Sequence, residues 1–261
     1  LFTLGATETN ARHSFFQMDA AIGGNRGEFW LFGGTGNFND IGGVHRRMDN
    51  ILYGVKDVDY PYFKHLNEVT IPKGGSDDFL AKAHKGANDA MSIDAAEDCT
   101  PVTGSRDLDK CPILAEFAWR IHLDTIDLIP PGDTTDEGVP STNHRFKKLS
   151  ASPTVFKGNV YFPIYEPPID DECAIGNAYI CVADDECGTN NSHKLKKGAV
   201  NTGGSDCHFV REGILSELVI FGDKLFANVA GPKEDARTLY SVLAASGEIG
   251  KTRGSWREVG F

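Results

Sequence analysis

Methionine and basic side chains are scarce in this chain, and long apolar runs are missing. Three of its 261 residues are methionine, against 29 glycines and 12 prolines. That balance disfavours long helices and suits short strands joined by many tight turns. Lysine and arginine number 26 against 37 aspartates and glutamates, a formal net charge of −11. The deficit of positive charge argues against nucleic acid as the main partner, because phosphate binding needs a basic face. It argues equally against a polybasic membrane anchor. No apolar stretch approaches the roughly 20 residues that cross a bilayer as a helix. The hydrophobic fraction is nevertheless 40%, too rich for a disordered chain. A chain of this length can bury a sizeable core, as one large domain or two small ones.

Signatures of catalysis are missing as well. The eight histidines (His13, His45, His65, His84, His122, His144, His193 and His208) show neither an HExxH motif nor paired i, i+4 spacing. There is no G-x-S-x-G elbow. Gly34-Thr-Gly36 follows the β-rich Phe29-Trp-Leu-Phe32, but Asn39 stands where a dinucleotide loop needs its third glycine. It reads instead as a turn where backbones approach closely. The acidic clusters are Asp57/Asp59, Asp107/Asp109, Asp170-Asp-Glu172 and Asp184-Asp-Glu186. None has the spacing of an EF-hand loop, and they read as solvated acidic loops. The expectation is a chain with no catalytic residue, no cofactor and no metal site of its own.

The cysteines are Cys99, Cys111, Cys173, Cys181, Cys187 and Cys207. None forms a CxxC pair, which argues against a zinc ribbon or a thioredoxin-like site. An even count suggests disulfides formed in an oxidising compartment, and all six are candidates. Cys99 and Cys111 bracket a loop rich in Pro, Thr, Gly and Asp that could close locally. The pairing of the other four is left open.

Two segments read almost as copies. Ser152-Pro-Thr-Val-Phe-Lys-Gly158-Asn-Val-Tyr-Phe162 matches Ser216-Glu-Leu-Val-Ile-Phe-Gly222-Asp-Lys-Leu-Phe226. Gly158-Asn159 and Gly222-Asp223 between β-rich runs signal two-residue hairpins. A further strand follows each, at Ala178–Val182 and Thr238–Val242. The same cadence occurs earlier at Ile51–Val55 and Phe117–Ile121, giving about four units of roughly 60–66 residues. Hairpin-plus-strand repeats predict an all-β chain, a quinoprotein-like β-propeller of about four blades with long loop insertions. Upstream blades are expected before Leu1, so that the whole of 1–261 is one C-terminal propeller portion of a longer chain. A long insertion is expected over residues 61–112, with a short helix at Asp89–Glu97. Further loops lie at Pro130–Pro140 and between Cys187 and Cys207, and a last strand at Ser255–Val259.

With these pieces in order, the chain resembles the C-terminal propeller domain of the PilY (PilC-type) proteins of bacterial type IV pili. The resemblance rests on Trp30-Leu-Phe-Gly-Gly-Thr-Gly36 followed by Asp40, and on Asn50-Ile-Leu-Tyr-Gly-Val-Lys-Asp57. It continues through Leu149-Ser-Ala-Ser-Pro-Thr-Val155, Val160-Tyr-Phe-Pro163 and Cys173-Ala-Ile-Gly-Asn-Ala-Tyr179. Gly213-Ile-Leu-Ser-Glu217 and Gly254-Ser-Trp-Arg-Glu258 are similar to its closing motifs. The resemblance implies a pilus tip, cell-surface, outer-membrane or periplasmic protein. It would act with minor pilins in pilus biogenesis and in attachment to a host or abiotic surface. The family's calcium loop would lie upstream of Leu1, so calcium is implied for the full-length protein only. Two other classes stand beside this one. A carbohydrate-binding propeller unrelated to pili could use exposed aromatics such as Tyr60 and Tyr62. A quinoprotein-like dehydrogenase shares the architecture but calls for adjacent cysteines, which the chain lacks.

Overall fold

The computed structural model describes residues 2–8, 10, 12–24, 27–44, 48–57, 91–99, 117–123, 146–168, 174–189, 191, 195, 207–231 and 239–243. The described secondary structure is strands and single 3-10 turns. In chain order the first strands are β1 (Phe2–Thr3), β2 (Asp19–Ile22), β3 (Phe29–Gly34), β4 (Ile51–Asp57), β5 (Met91–Ser92) and β6 (Glu97–Asp98). Then come β7 (Ala118–His122), β8 (Lys148–Leu149), β9 (Thr154–Phe156), β10 (Asn159–Glu166) and β11 (Asn177–Asp184). The last are β12 (Cys207–Glu212), β13 (Ile214–Leu215), β14 (Val219–Phe221), β15 (Lys224–Ala230) and β16 (Leu239–Leu243).

These strands form three larger sheets. Sheet 1 runs β2-β3-β4-β7-β6, antiparallel except for the parallel pair β6–β7. In sheet 2, β8 and β9 both pair with β10, which pairs with β11 and then β12. In sheet 3, β13 and β14 pair with β15, which pairs with β16. Apart from the parallel β6 at the edge of sheet 1, each sheet is an antiparallel meander, the form a propeller blade takes.

The sheets stack face to face because side chains alternate across each strand. Trp30, Phe32, Leu52, Trp119 and Ile121 of sheet 1 meet Val160, Phe162, Ile164 and Cys181 of sheet 2 in one core. The opposite face of sheet 2, with Tyr161, Ala178, Ile180 and Val182, meets Leu215, Leu225, Ala227 and Val229 of sheet 3. The outer face of sheet 1, with Ile51, Tyr53, Val55 and Ala118, is covered by Ile93, Ala96, Phe2 and Leu4. β10 lies between two cores, and all eight of its residues are buried. Each large aromatic or aliphatic side chain so enclosed contributes about 1.5–3 kcal/mol. Polar links bind the layers: Val155 N donates to Asp19 Oδ2 (2.8 Å), and Thr154 Oγ1 donates to the Leu218 carbonyl (3.1 Å).

Several expectations change here. Ile51–Val55 and Phe117–Ile121 are neighbours in one sheet, with Leu52 opposite Ile121 and Val55 opposite Ala118. The cadence they share marks adjacent central strands with similar demands, not successive repeat units. The described residues accordingly form three stacked meanders rather than four units. Asp89–Glu97 does not form a helix in its described part. Strand β5, a 3-10 turn at Ile93–Ala95 and strand β6 occupy it, with Ser92 Oγ accepting from Asp94 N (3.2 Å) at the turn. Residues 61–90, the loop 130–140 and the segment 255–259 lie outside the described residues.

Both hairpins are present, with the first turn one residue earlier than expected. Its loop is Lys157-Gly158, with φ of 49° and 74°. Asn159 begins β10 and is buried, its Oδ1 accepting from Asn191 Nδ2 (2.8 Å). In the second hairpin the loop is Gly222-Asp223, and of the two only Gly222 has positive φ, at 60°. The pair thus follows the I′ and II′ patterns that match strand twist.

Candidate functional site

Antiparallel pairing brings the end of β3, the start of β4, the end of β7, β8 and the end of β10 to one rim of the stack. Leu149 N donates to the Thr35 carbonyl (3.1 Å), joining sheet 2 to the turn after β3. Beneath this joint sits a buried polar node. Thr35 Oγ1 accepts from Ile51 N (2.9 Å) and donates to Asn50 Oδ1 (3.2 Å). Asn50 Nδ2 donates to the Lys147 carbonyl (2.9 Å). Gly36 packs so tightly on Lys148 that a Cβ there would lie 2.7 Å from Lys148 Cβ. The close-approach reading of Gly34-Thr-Gly36 therefore holds.

Lys148 is the most unusual residue of the rim. It is 1% exposed, and its ammonium donates to the carbonyls of Asp40 (2.6 Å), Ile41 (2.9 Å) and Gly43 (2.6 Å). Three carbonyl dipoles surround the charge, which satisfies all three of its donors and offsets the cost of burial. The loop so pinned carries Phe38 and Val44 at the surface, and the segment before β2 adds exposed Phe15 and Met18. Phe16 contacts Phe38 edge to face, with ring centroids 5.2 Å apart, and Gly36 N donates to the His13 carbonyl (2.8 Å). The loop, the segment before it and the buried lysine form one braced structure.

Beside it runs a circuit of six polar side chains, five of them Arg or Asp and the sixth a histidine. Arg12, 4% exposed, pairs with Asp49 and with Asp94 (2.6 Å). Asp94 pairs with Arg120 (3.7 Å), Arg120 with Asp98 (3.6 Å), and Asp98 with His122 Nε2 (3.7 Å). His122 Nδ1 returns to Asp49 (2.5 Å). Burial alone would raise the Asp49 pKa, but His122 and Arg12 outweigh it and hold the carboxyl below its ordinary range. Burial works against the Arg12 charge, yet Asp94 and Asp49 raise its pKa overall.

The sulfur atoms lie elsewhere in the stack. Cys181 and Cys207 are bonded across β11 and β12, where register sets them directly opposite with Cα atoms 4.2 Å apart. That spacing suits a non-hydrogen-bonded antiparallel pair. Cys99 is also disulfide-bonded. Cys111 and Cys173, the remaining candidates, lie outside the described residues. Cys187, a disulfide candidate by sequence, is instead a buried free thiol. Its Sγ donates to Asp184 Oδ1 (3.1 Å), and desolvation together with that carboxylate pushes its pKa up to about 12. It is therefore a poor nucleophile.

The acidic run beside it also departs from expectation. Asp185 and Glu186 are buried rather than solvated. The Asp185 carbonyl accepts from Trp119 Nε1 (3.1 Å), and Asp184 Oδ1 caps the turn by accepting from Glu186 N and Cys187 N. The turn plugs the end of the sheet 1–sheet 2 core. The clusters Asp107/Asp109 and Asp170–Glu172, and the aromatics Tyr60 and Tyr62, fall outside the described residues. Among the described residues no group of three or more His, Cys, Asp and Glu side chains is arranged to hold a metal ion. No helix among them is long and apolar enough to cross a membrane.

Sequence reasoning missed Lys148, Arg12 and Asp49, and no local signal marks them. They become a site only when distant segments meet: Lys148 reaches carbonyls 105 to 108 residues away, and Arg12 reaches Asp49 at 37 and Asp94 at 82. Asp40 and the Gly34–Gly36 turn were singled out, and their partner across the joint is the residue preceding Leu149.

No family model matches the sequence, and no curated protein matches it. Among solved structures, the chain is similar to the crystal structure of the Pseudomonas aeruginosa PilY1 C-terminal domain, at 9% sequence identity and a TM-score of 0.49. The likeness covers 93% of this chain and 47% of that one, so the chain spans about half the length of the solved domain.

Proposed function

We propose that this chain is part of a PilY-type β-propeller that serves as a non-enzymatic scaffold and adhesin at the tip of a type IV pilus. One observation carries the reading. Three of the sequence pieces that resemble the PilY family meet in a single structural joint. Gly36 and Asp40 belong to the first piece, Asn50 to the second, and Leu149 begins the third. In the fold, Leu149 N reaches the Thr35 carbonyl, Lys148 grips the Asp40 carbonyl, and Asn50 holds the Lys147 carbonyl. Three pieces far apart in sequence are therefore held together by direct hydrogen bonds.

On this reading the three stacked meanders are consecutive blades. The face of sheet 3 that presents Val219, 61% exposed, and Phe221, 79% exposed, is covered by a further blade when the propeller closes. The equivalent positions of sheet 2, Thr154 and Phe156, pack beneath sheet 3. Minor pilins are the partners, the cell surface or pilus tip is the location, and calcium belongs to the full-length protein. Retention of type IV minor pilins on the immobilised chain tests the proposal. Passage of the pilins unretained, under conditions that preserve a control pilin complex, counts against it.

A further inference from the structure

The loop that follows β3 has the shape of a cation host. A 3-10 turn at Phe38–Asp40 leads through Ile41 and Gly42 to Gly43, whose N–H donates back to the Asp40 carbonyl (3.2 Å). The Asp40, Ile41 and Gly43 carbonyls converge on one point, and the group at that point comes from a different sheet. Lys148 lies on β8, which pairs with β10 in sheet 2, and its side chain crosses the joint into this loop of sheet 1. Gly36 lies against the Lys148 backbone where the side chain sets out, since a Cβ on Gly36 would stand 3.1 Å from Lys148 Cα. A primary ammonium carries three N–H donors around its C–N axis. Three carbonyls at 2.6, 2.9 and 2.6 Å match it in number and in distance. A guanidinium is flat, tetramethylammonium has no donor, and potassium takes carbonyl ligands without directed donors.

We propose that the loop 37–44 is a receptor site for a primary ammonium, and that Lys148 is its built-in ligand. Carbonyl oxygens aimed at one point repel one another, and they stay converged while a cation lies between them. The loop therefore takes its shape around the ammonium, and the seating of sheet 2 on sheet 1 is the event that orders it. Phe38 and Val44, exposed on this loop, hold their places through a residue of the neighbouring sheet. The site recognises the head group and not the tether. Lys148→Ala removes three methylenes and the ammonium, and the space it opens has the outline of n-propylammonium. A free primary alkylammonium of that length fills the cage in place of the side chain.

Chemical rescue of Lys148→Ala in the full chain tests the proposal, with n-propylammonium chloride as the probe. Two quantities are read: the unfolding equilibrium constant in urea, and the amide NMR signals of residues 38–44, with β15 in sheet 3 as control. The substitution is expected to raise the unfolding constant at least about 100-fold and to displace the loop signals. n-Propylammonium lowers the constant again by the factor 1 + [amine]/Kd, about tenfold at ten times Kd, and returns the loop signals toward their wild-type positions. A free amine gives up translational freedom that the tethered one does not, so Kd is expected on the order of 10 mM or above. Tetramethylammonium and potassium chlorides at the same ionic strength leave the variant as it was, and the wild type, its cage filled, responds to none of the three salts. Failure of n-propylammonium to restore the variant overturns the proposal. Equal restoration by tetramethylammonium or potassium overturns it too, as does a displacement of the β15 signals as large as that of the loop. If Lys148→Ala folds neither with nor without amine, Lys148→Met decides. Loop signals displaced with β15 in place support the proposal, and loop signals at their wild-type positions overturn it.

Discussion

Replacing Lys148 by methionine keeps most of the side-chain volume and removes the charge, so it isolates what the ammonium contributes. The wild-type group donates to the Asp40, Ile41 and Gly43 carbonyls at 2.6, 2.9 and 2.6 Å. Hydrogen bonds to charged groups net about 1.5–3 kcal/mol each, and a buried acceptor left without a donor costs about 1–3 kcal/mol. The loop lies at the rim, with Asp40 and Gly42 exposed, so water re-enters and recovers part of that cost. A net loss of about 3 kcal/mol follows, and for a domain of this size each kcal/mol shifts Tm by about 2–4 °C. Lys148→Met should therefore melt roughly 6–12 °C below wild type. Its urea midpoint should fall at an unchanged m value, because a local pin is lost while the area exposed on unfolding stays the same. A variant within about 0.5 kcal/mol of wild type would refute the reasoning. The carbonyl cage would then be incidental to stability.

Four further outcomes are expected. Gly36→Ala should destabilise by about 1–3 kcal/mol, read by urea unfolding, because its Cβ has no room beside the Lys148 backbone. Replacing Cys181 and Cys207 together by alanine should cost about 3.5 kcal/mol, the chain entropy of a cross-link with a sequence separation of 26. Non-reducing unfolding curves of the double variant check this. Cys187 should resist iodoacetamide at pH 8 in the native state and react on unfolding, with peptide mapping as the readout, because its raised pKa keeps the thiol protonated. Asp49 contributes stability above the ordinary carboxylate range, and that contribution is lost as pH falls through its lowered folded-state pKa. Asp49→Asn should therefore flatten the acid limb of a stability–pH profile, and an unaltered limb would show that other carboxylates set it.

The local part of this fold is legible in the amino-acid order. Gly158 and Gly222 mark both hairpins, since a two-residue turn needs positive φ that glycine adopts at little cost. The first turn is displaced by one residue because Lys157 also takes positive φ, a choice made by the packing of Asn159 at the start of β10 rather than by turn chemistry. The helix expected at Asp89–Glu97 fails for a similar reason. Ser92 caps a single turn, and the carboxylate of Asp94 is taken by Arg12 from 82 residues away.

By itself the sequence determined the all-β class, the strands β9–β11 and β14–β16, and the close backbone approach at Gly34–Gly36. The hairpins β9–β10 and β14–β15 follow from interactions within a dozen residues, whereas the partner that Gly36 approaches, Lys148, comes from far along the chain. Only the tertiary structure decided that β4 pairs with β7, that Asp185 and Glu186 are buried, and that Cys187 stays a thiol while Cys181 finds Cys207. It alone gave Lys148 its carbonyl cage and brought Arg12, Asp49 and His122 together. Pairing and charge burial of this kind depend on which surfaces meet across the stack. Near-identical strand patterns, such as Ile51–Val55 and Phe117–Ile121, do not carry that information.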